Sequence, residues 1–146
     1  MPDEDFLDRA AKHAYKELER VGGDPSKLDV VLQTVAVIYS VQAIIDNGGF
    51  RYLFENNFPF NPPYSVFSEA YRRIGATLQA ELLDKAVAIF PFSEPHKFED
   101  RRNEFMDSLD ESDELFEIGN AVCGDEAVWT NLEKYAREHA ASFDFG

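Results

Sequence analysis

Residues 30–45 are sixteen consecutive positions without a charged side chain, and this run limits what the 146-residue chain can fold into more than any other feature. Leu28 just before it, and then Val31, Leu32, Val35, Val37, Ile38, Val41, Ile44 and Ile45, surround most of a helical axis. A helix apolar on nearly all sides belongs inside a bundle. Crossing a membrane is the other way to hide it, but that usually takes about 20 predominantly apolar residues, and Gln33, Thr34, Ser40 and Gln42 interrupt this run. A buried core helix is expected, and no membrane partner.

A central helix needs amphipathic neighbours, and the flanking sequence supplies them. Phe6, Leu7, Ala10, Ala11, Ala14, Tyr15, Leu18 and Val21 recur at three- and four-residue intervals on a helix starting near Asp3 and stopped by Gly22-Gly23. Asp24-Pro25-Ser26 offers capping oxygens and a first-turn proline, so the core helix should start there and run to about Asp46. Asn47-Gly48-Gly49 should end it, with a short helical segment at Phe50, Leu53 and Phe54. After a Pro- and Asn-rich loop at 58–64, Ser65 is expected to cap a helix ended by Gly75. Thr77 should restart the pattern until Pro91, and Pro95 should reopen helix near His96. Two further apolar patterns follow, one around Phe98, Phe105 and Leu109 and one around Leu115, Phe116, Ile118 and Val122. Asp125 is expected to cap a last helix carrying Val128, Trp129, Leu132, Tyr135 and Ala136. No strand-like alternation and no repeat is present. The expectation is one all-α domain over residues 1–146, a bundle of about seven or eight helices.

Charge narrows the function. The formal net charge is −14, which opposes direct binding to nucleic acid phosphates or anionic lipid. It is concentrated: residues 94–146 hold 15 acidic and 5 basic side chains, and 103–133 hold ten carboxylates with no Lys or Arg. Asp107, Asp110, Glu111, Asp113, Glu114 and Glu117 stand out. If that stretch is helical, positions 107, 110, 111, 114 and 117 share a face. Asp125, Glu126, Glu133 and Glu138 could add a second row. Such a surface is either a solvated face that aids solubility or a row of negative charges resembling phosphates, suited to the basic surface of a DNA-binding protein. Calcium fits poorly, because 107–113 lack the alternation and central glycine of an EF-hand loop.

Other chemistry has little support. A single cysteine, Cys123, rules out an intramolecular disulfide and fits a reducing compartment. The acidic start, Met1-Pro2-Asp3-Glu4-Asp5, does not read as an export signal. His13, His96 and His139 fall in no metal-binding spacing, so neither metal nor cofactor is expected. A Cys123 nucleophile with His139 or His96 as base would have to be assembled by the fold, and a small buried thiol is the simpler reading. No catalytic residue is assigned, and the chain reads as a binding protein rather than an enzyme. The run from Asp46 to Asn57 has two readings: a helix end with aromatic anchors, or a small-molecule or peptide pocket, including that of an unrecognised hydrolase, at 47–57.

The turn Asn47-Gly48-Gly49-Phe50 after a long apolar helix, with Phe54 and Asn56 following, resembles the signature of the DNA-mimic-protein-nineteen family. Ile74-Gly75-Ala76 with Ala86, Leu109-Asp110 leading to Leu115-Phe116, and Leu132 through Tyr135 to His139 extend the resemblance over about residues 28–143. It implies an all-helical bacterial cytoplasmic protein, with a homodimer among its expectations, and an acidic surface that occupies the DNA site of a transcription regulator. That inference passes from family to member by analogy.

Overall fold

A computed structural model gives the structure of the chain and describes residues 2–56, 62–109, 115, 117, 118 and 126–143. Among the described residues there are six α-helices and no strand: α1 (Pro2–Arg20), α2 (Val30–Glu55), α3 (Tyr64–Arg73), α4 (Thr77–Val87), α5 (Glu99–Ser108) and α6 (Glu126–Glu138). Short 3-10 turns occupy Pro25–Lys27, Pro95–Lys97 and Ala140–Ser142. The class is all-α, as the sequence predicts.

The helix α2 is central. It packs against α1, α3, α5 and α6, while α3 and α4 pair with each other. Its buried residues, among them Val35, Ile38, Val41, Ile45, Phe50, Leu53 and Phe54, join Ala10 and Ala14 of α1, Phe67 and Tyr71 of α3, Leu83 of α4, Met106 of α5 and Leu132 of α6 in one core. By length and composition α2 could cross a membrane. In this fold its apolar surface is spent on four neighbouring helices.

The expected seven or eight helices become six among the described residues partly because α2 does not stop at the glycines. It kinks at Gly49 (φ 68°, ψ −165°) and resumes, since Phe50, Leu53 and Phe54 are buried and hold the next turn in place. Of the helix expected around Leu115, Phe116, Ile118 and Val122, Leu115, Glu117 and Ile118 are helical and the rest lies outside the described residues. Other boundaries move for local reasons. Asp24 caps the 3-10 turn instead of α2, accepting from the Ser26 backbone N–H at 3.0 Å and its hydroxyl at 2.8 Å. Pro63, not Ser65, precedes α3, and α4 ends at Val87, where tighter turns take over. Pro95 opens a 3-10 turn, and helix proper begins at Glu99. The expected cap at Asp125 lies outside the described residues.

Candidate functional site

The motif at 47–56 has a structural task at nearly every position. A Cβ at Gly48 would sit 2.5 Å from the Cβ of Tyr52, so no larger residue fits without displacing the helix. Gly49 has dihedrals reached almost only by glycine. Phe50 and Phe54 are buried and stack at 6.0 Å between ring centroids, and Phe54 also meets Tyr64 (5.2 Å) and Phe90 (4.9 Å). The side-chain amides of Asn47 and Asn56 donate to the carbonyls of Ala43 (3.0 Å) and Tyr52 (2.8 Å).

Arg102 completes this end of α2. It is 1% exposed. Its Nε donates to the Phe54 carbonyl at 2.9 Å, Nη1 to those of Pro95 (2.8 Å) and His96 (3.1 Å), and Nη2 to that of Asn56 at 3.4 Å. A helix leaves its last carbonyls without intrahelical partners and carries partial negative charge at that end. The guanidinium answers both needs. Nearby, burial holds the His96 imidazole below its ordinary pKa; Lys97 and Arg102 push the same way and Glu94 opposes them.

Because Arg102 points inward, the outer surface of α5 is left acidic. The helix carries Glu99, Asp100, Glu104 and Asp107 against only Arg101 and Arg102, and Arg101 lies 4.3 Å from the centre of the Phe92 ring. Asp100, Glu104 and Asp107 are exposed, and their spacing of four and three residues puts them on one face. Sequence reading singled out Asp107 but missed Asp100 and Glu104. The four-three spacing was available as a signal, but the two arginines between them masked it.

The carboxylate ladder expected along one helix is interrupted. Leu109 is extended (φ −88°, ψ 151°) and ends α5, so Asp107 and Glu117 do not lie on one continuous helix. Asp107 is 76% exposed and meets Nη2 of Arg51 at 3.4 Å, an exposed pair of the kind that contributes little to stability. Glu117 and Glu126 are exposed. Asp110, Glu111, Asp113, Glu114 and Asp125 lie outside the described residues, as does Cys123. Of the expected second row, Glu138 is exposed, whereas Glu133 is partly buried and paired with Arg137 at 3.2 Å.

The two ends of the acidic segment are fixed to one part of α2. Asp107 reaches Arg51 at its start, and beyond its far end the indole N–H of Trp129 donates to Asp46 at 2.9 Å. Leu115 and Ile118 within it are buried in the core. Asp46 is tied further inward: the Gln42 amide donates to its other oxygen, and the Tyr71 hydroxyl donates to Gln42, both at 2.8 Å. A chain of polar groups, buried at Tyr71 and Gln42 and half-buried at Asp46 and Trp129, thus connects α3, α2 and α6. Sequence reading missed it because its members lie 29 and 83 residues apart.

The three histidines stay apart. The His13 ring is 6.1 Å from Phe143, His96 faces Tyr64 at 6.3 Å, and His139 stacks on Tyr135 at 4.4 Å. Among the described residues no group of three His, Cys, Asp or Glu side chains is placed to hold a metal.

Comparison with known proteins adds one result. The family model described as DMP19-like protein matches residues 26–139. No curated protein and no solved structure matches.

Proposed function

The chain belongs to the DMP19-like protein family, and on that premise we propose that it is a non-catalytic acidic protein whose negative surface occupies the basic DNA-binding surface of a regulatory protein. The reading rests chiefly on the outer face of α5, where Asp100, Glu104 and Asp107 are exposed while Arg102 is withdrawn into the core. Three charges over seven residues at about 1.5 Å per residue come to one per roughly 5 Å. One DNA strand carries a phosphate per about 3.4 Å. A single helix is too sparse to imitate it, so the proposal also calls on the exposed carboxylates Glu117 and Glu126 and on those of Asp110, Glu111, Asp113, Glu114 and Asp125 in the sequence between them and α5.

The pocket reading of 47–57 has less support, because most of residues 47–56 already have tasks in the kink and the core, while Asn57 lies outside the described residues. The solubility reading differs from mimicry in its measurable consequences. The immobilised chain is expected to retain a basic DNA-binding protein from a lysate at low salt and release it as the Debye length shrinks from about 10 Å at 0.1 M towards 3 Å at 1 M. Duplex DNA should compete for the retained protein. Reversing Asp110→Lys together with Glu114→Lys should abolish retention. An affinity insensitive to salt would rule out the proposal.

A further inference from the structure

A second feature lies on another side of α2, where α1 and α6 meet it. A cleft of about 440 Å³ opens there, lined by Leu7 and Asp8 of α1, Tyr39 of α2, and Trp129, Thr130 and Glu133 of α6. Its size falls within the roughly 300–1,000 Å³ of small-ligand sites. The rings of Tyr39 and Trp129, both lining the cleft, lie 5.5 Å apart at 84°, and Tyr39 also meets the Tyr15 ring edge-to-face at 6.1 Å. The negative face of an aromatic ring attracts an organic cation, and Trp does so most strongly.

The surroundings favour positive charge as well. Asp8 accepts from the Tyr39 hydroxyl at 2.8 Å, Glu133 from Nε of Arg137 at 3.2 Å, and Asp46 from the Trp129 indole at 2.9 Å. Two carboxylates therefore hold the ring pair, Asp8 through Tyr39 and Asp46 through Trp129, while Glu133 lines the cleft and pairs with Arg137, whose guanidinium lies over the Phe6 ring at 4.4 Å. Each of these bonds uses part of a carboxylate's capacity, which is about four lone-pair sites. An indole N–H donating to a carboxylate also leaves its ring richer in electrons, which strengthens the π face. A neutral guest of the same size would gain less, because charge-assisted hydrogen bonds are roughly twice as strong as neutral ones and cation–π attraction needs the charge.

We infer that the cleft formed by Asp8, Tyr39, Trp129 and Glu133 binds one organic cation of the alkylammonium or guanidinium type, such as the head of a lysine or arginine side chain. The rings enclose the cation, and Asp8 and Glu133 accept its N–H groups. The site is separate from the α5 face and does not require the proposed mimicry.

Trp129 is the chain's sole tryptophan, so its emission reports on the cleft directly. Titration with n-butylammonium chloride should change that emission saturably, with sodium chloride as the ionic-strength control and n-butanol as the neutral control. The salt and the alcohol should give no saturable change. Asp8→Asn with Glu133→Gln keeps an acceptor for Tyr39 and for Arg137 and should weaken binding at least tenfold. Thr130 is exposed, so Thr130→Lys should leave the fold intact, as read by circular dichroism, and block the cleft with its own ammonium. A response matched by sodium chloride, or saturation unchanged in both variants, overturns the assignment.

Discussion

The kinked end of α2 and the cleft at its middle put polar side chains to opposite uses. At the kink, Arg102, Asn47, Asn56 and two glycines spend their polar groups and their backbone freedom on the chain itself. At the cleft, Asp8, Glu133, Tyr39 and Trp129 line a surface opening, and each carboxylate there has more oxygen capacity than its one described bond uses. The α5 surface stands between these cases: its one buried arginine serves the kink, and its carboxylates are left to solvent. A polar residue closed off by backbone partners builds the fold, whereas one with unused valence at a surface is available to a partner.

The contrast breaks first at Arg102. Replacing it with Met orphans carbonyls at Phe54, Pro95, His96 and Asn56, and at about 1–3 kcal/mol for each buried group left unpaired the loss should reach at least about 3 kcal/mol in chemical denaturation. A loss below about 1 kcal/mol would mean that the four bonds of Arg102 do not hold this end of α2 in place.

Gly49→Ala comes next. Holding a residue with a Cβ at φ 68°, ψ −165° should cost about 1–3 kcal/mol, read as a lower denaturation midpoint with an unchanged slope. A neutral outcome would show that α2 can straighten.

The smallest expected effect on stability sharpens the other side. Asp100→Asn, Glu104→Gln and Asp107→Asn together should shift stability by no more than about 0.5 kcal/mol, yet weaken retention of a basic partner and flatten its dependence on salt. Unchanged salt dependence would separate the α5 face from binding.

How legible each region was follows from its range along the chain. The buried helix of residues 30–45 was legible because sixteen uncharged positions allow few alternatives, and the aromatic anchors Phe50 and Phe54 were legible from their spacing. The kink was not: Asn47-Gly48-Gly49 carries the local chemistry of a helix end, and only the burial of the residues after it carries the helix onward. The acidic character of the C-terminal third was plain from counting, but the sequence could not show that α5 stops at Leu109 or that Arg102 turns inward. The cleft had no signal, since Asp8, Tyr39 and Trp129 are ordinary residues far apart in the chain.

The sequence by itself determined the class, the central helix and the sign of the surface charge, because these depend on local periodicity and on sums over residues. Tertiary structure alone decided which charges face solvent, which arginine is consumed by carbonyls and which aromatic rings meet. Those outcomes depend on contacts between helices, and burial changes a polar group's energy by more than any local preference of the backbone.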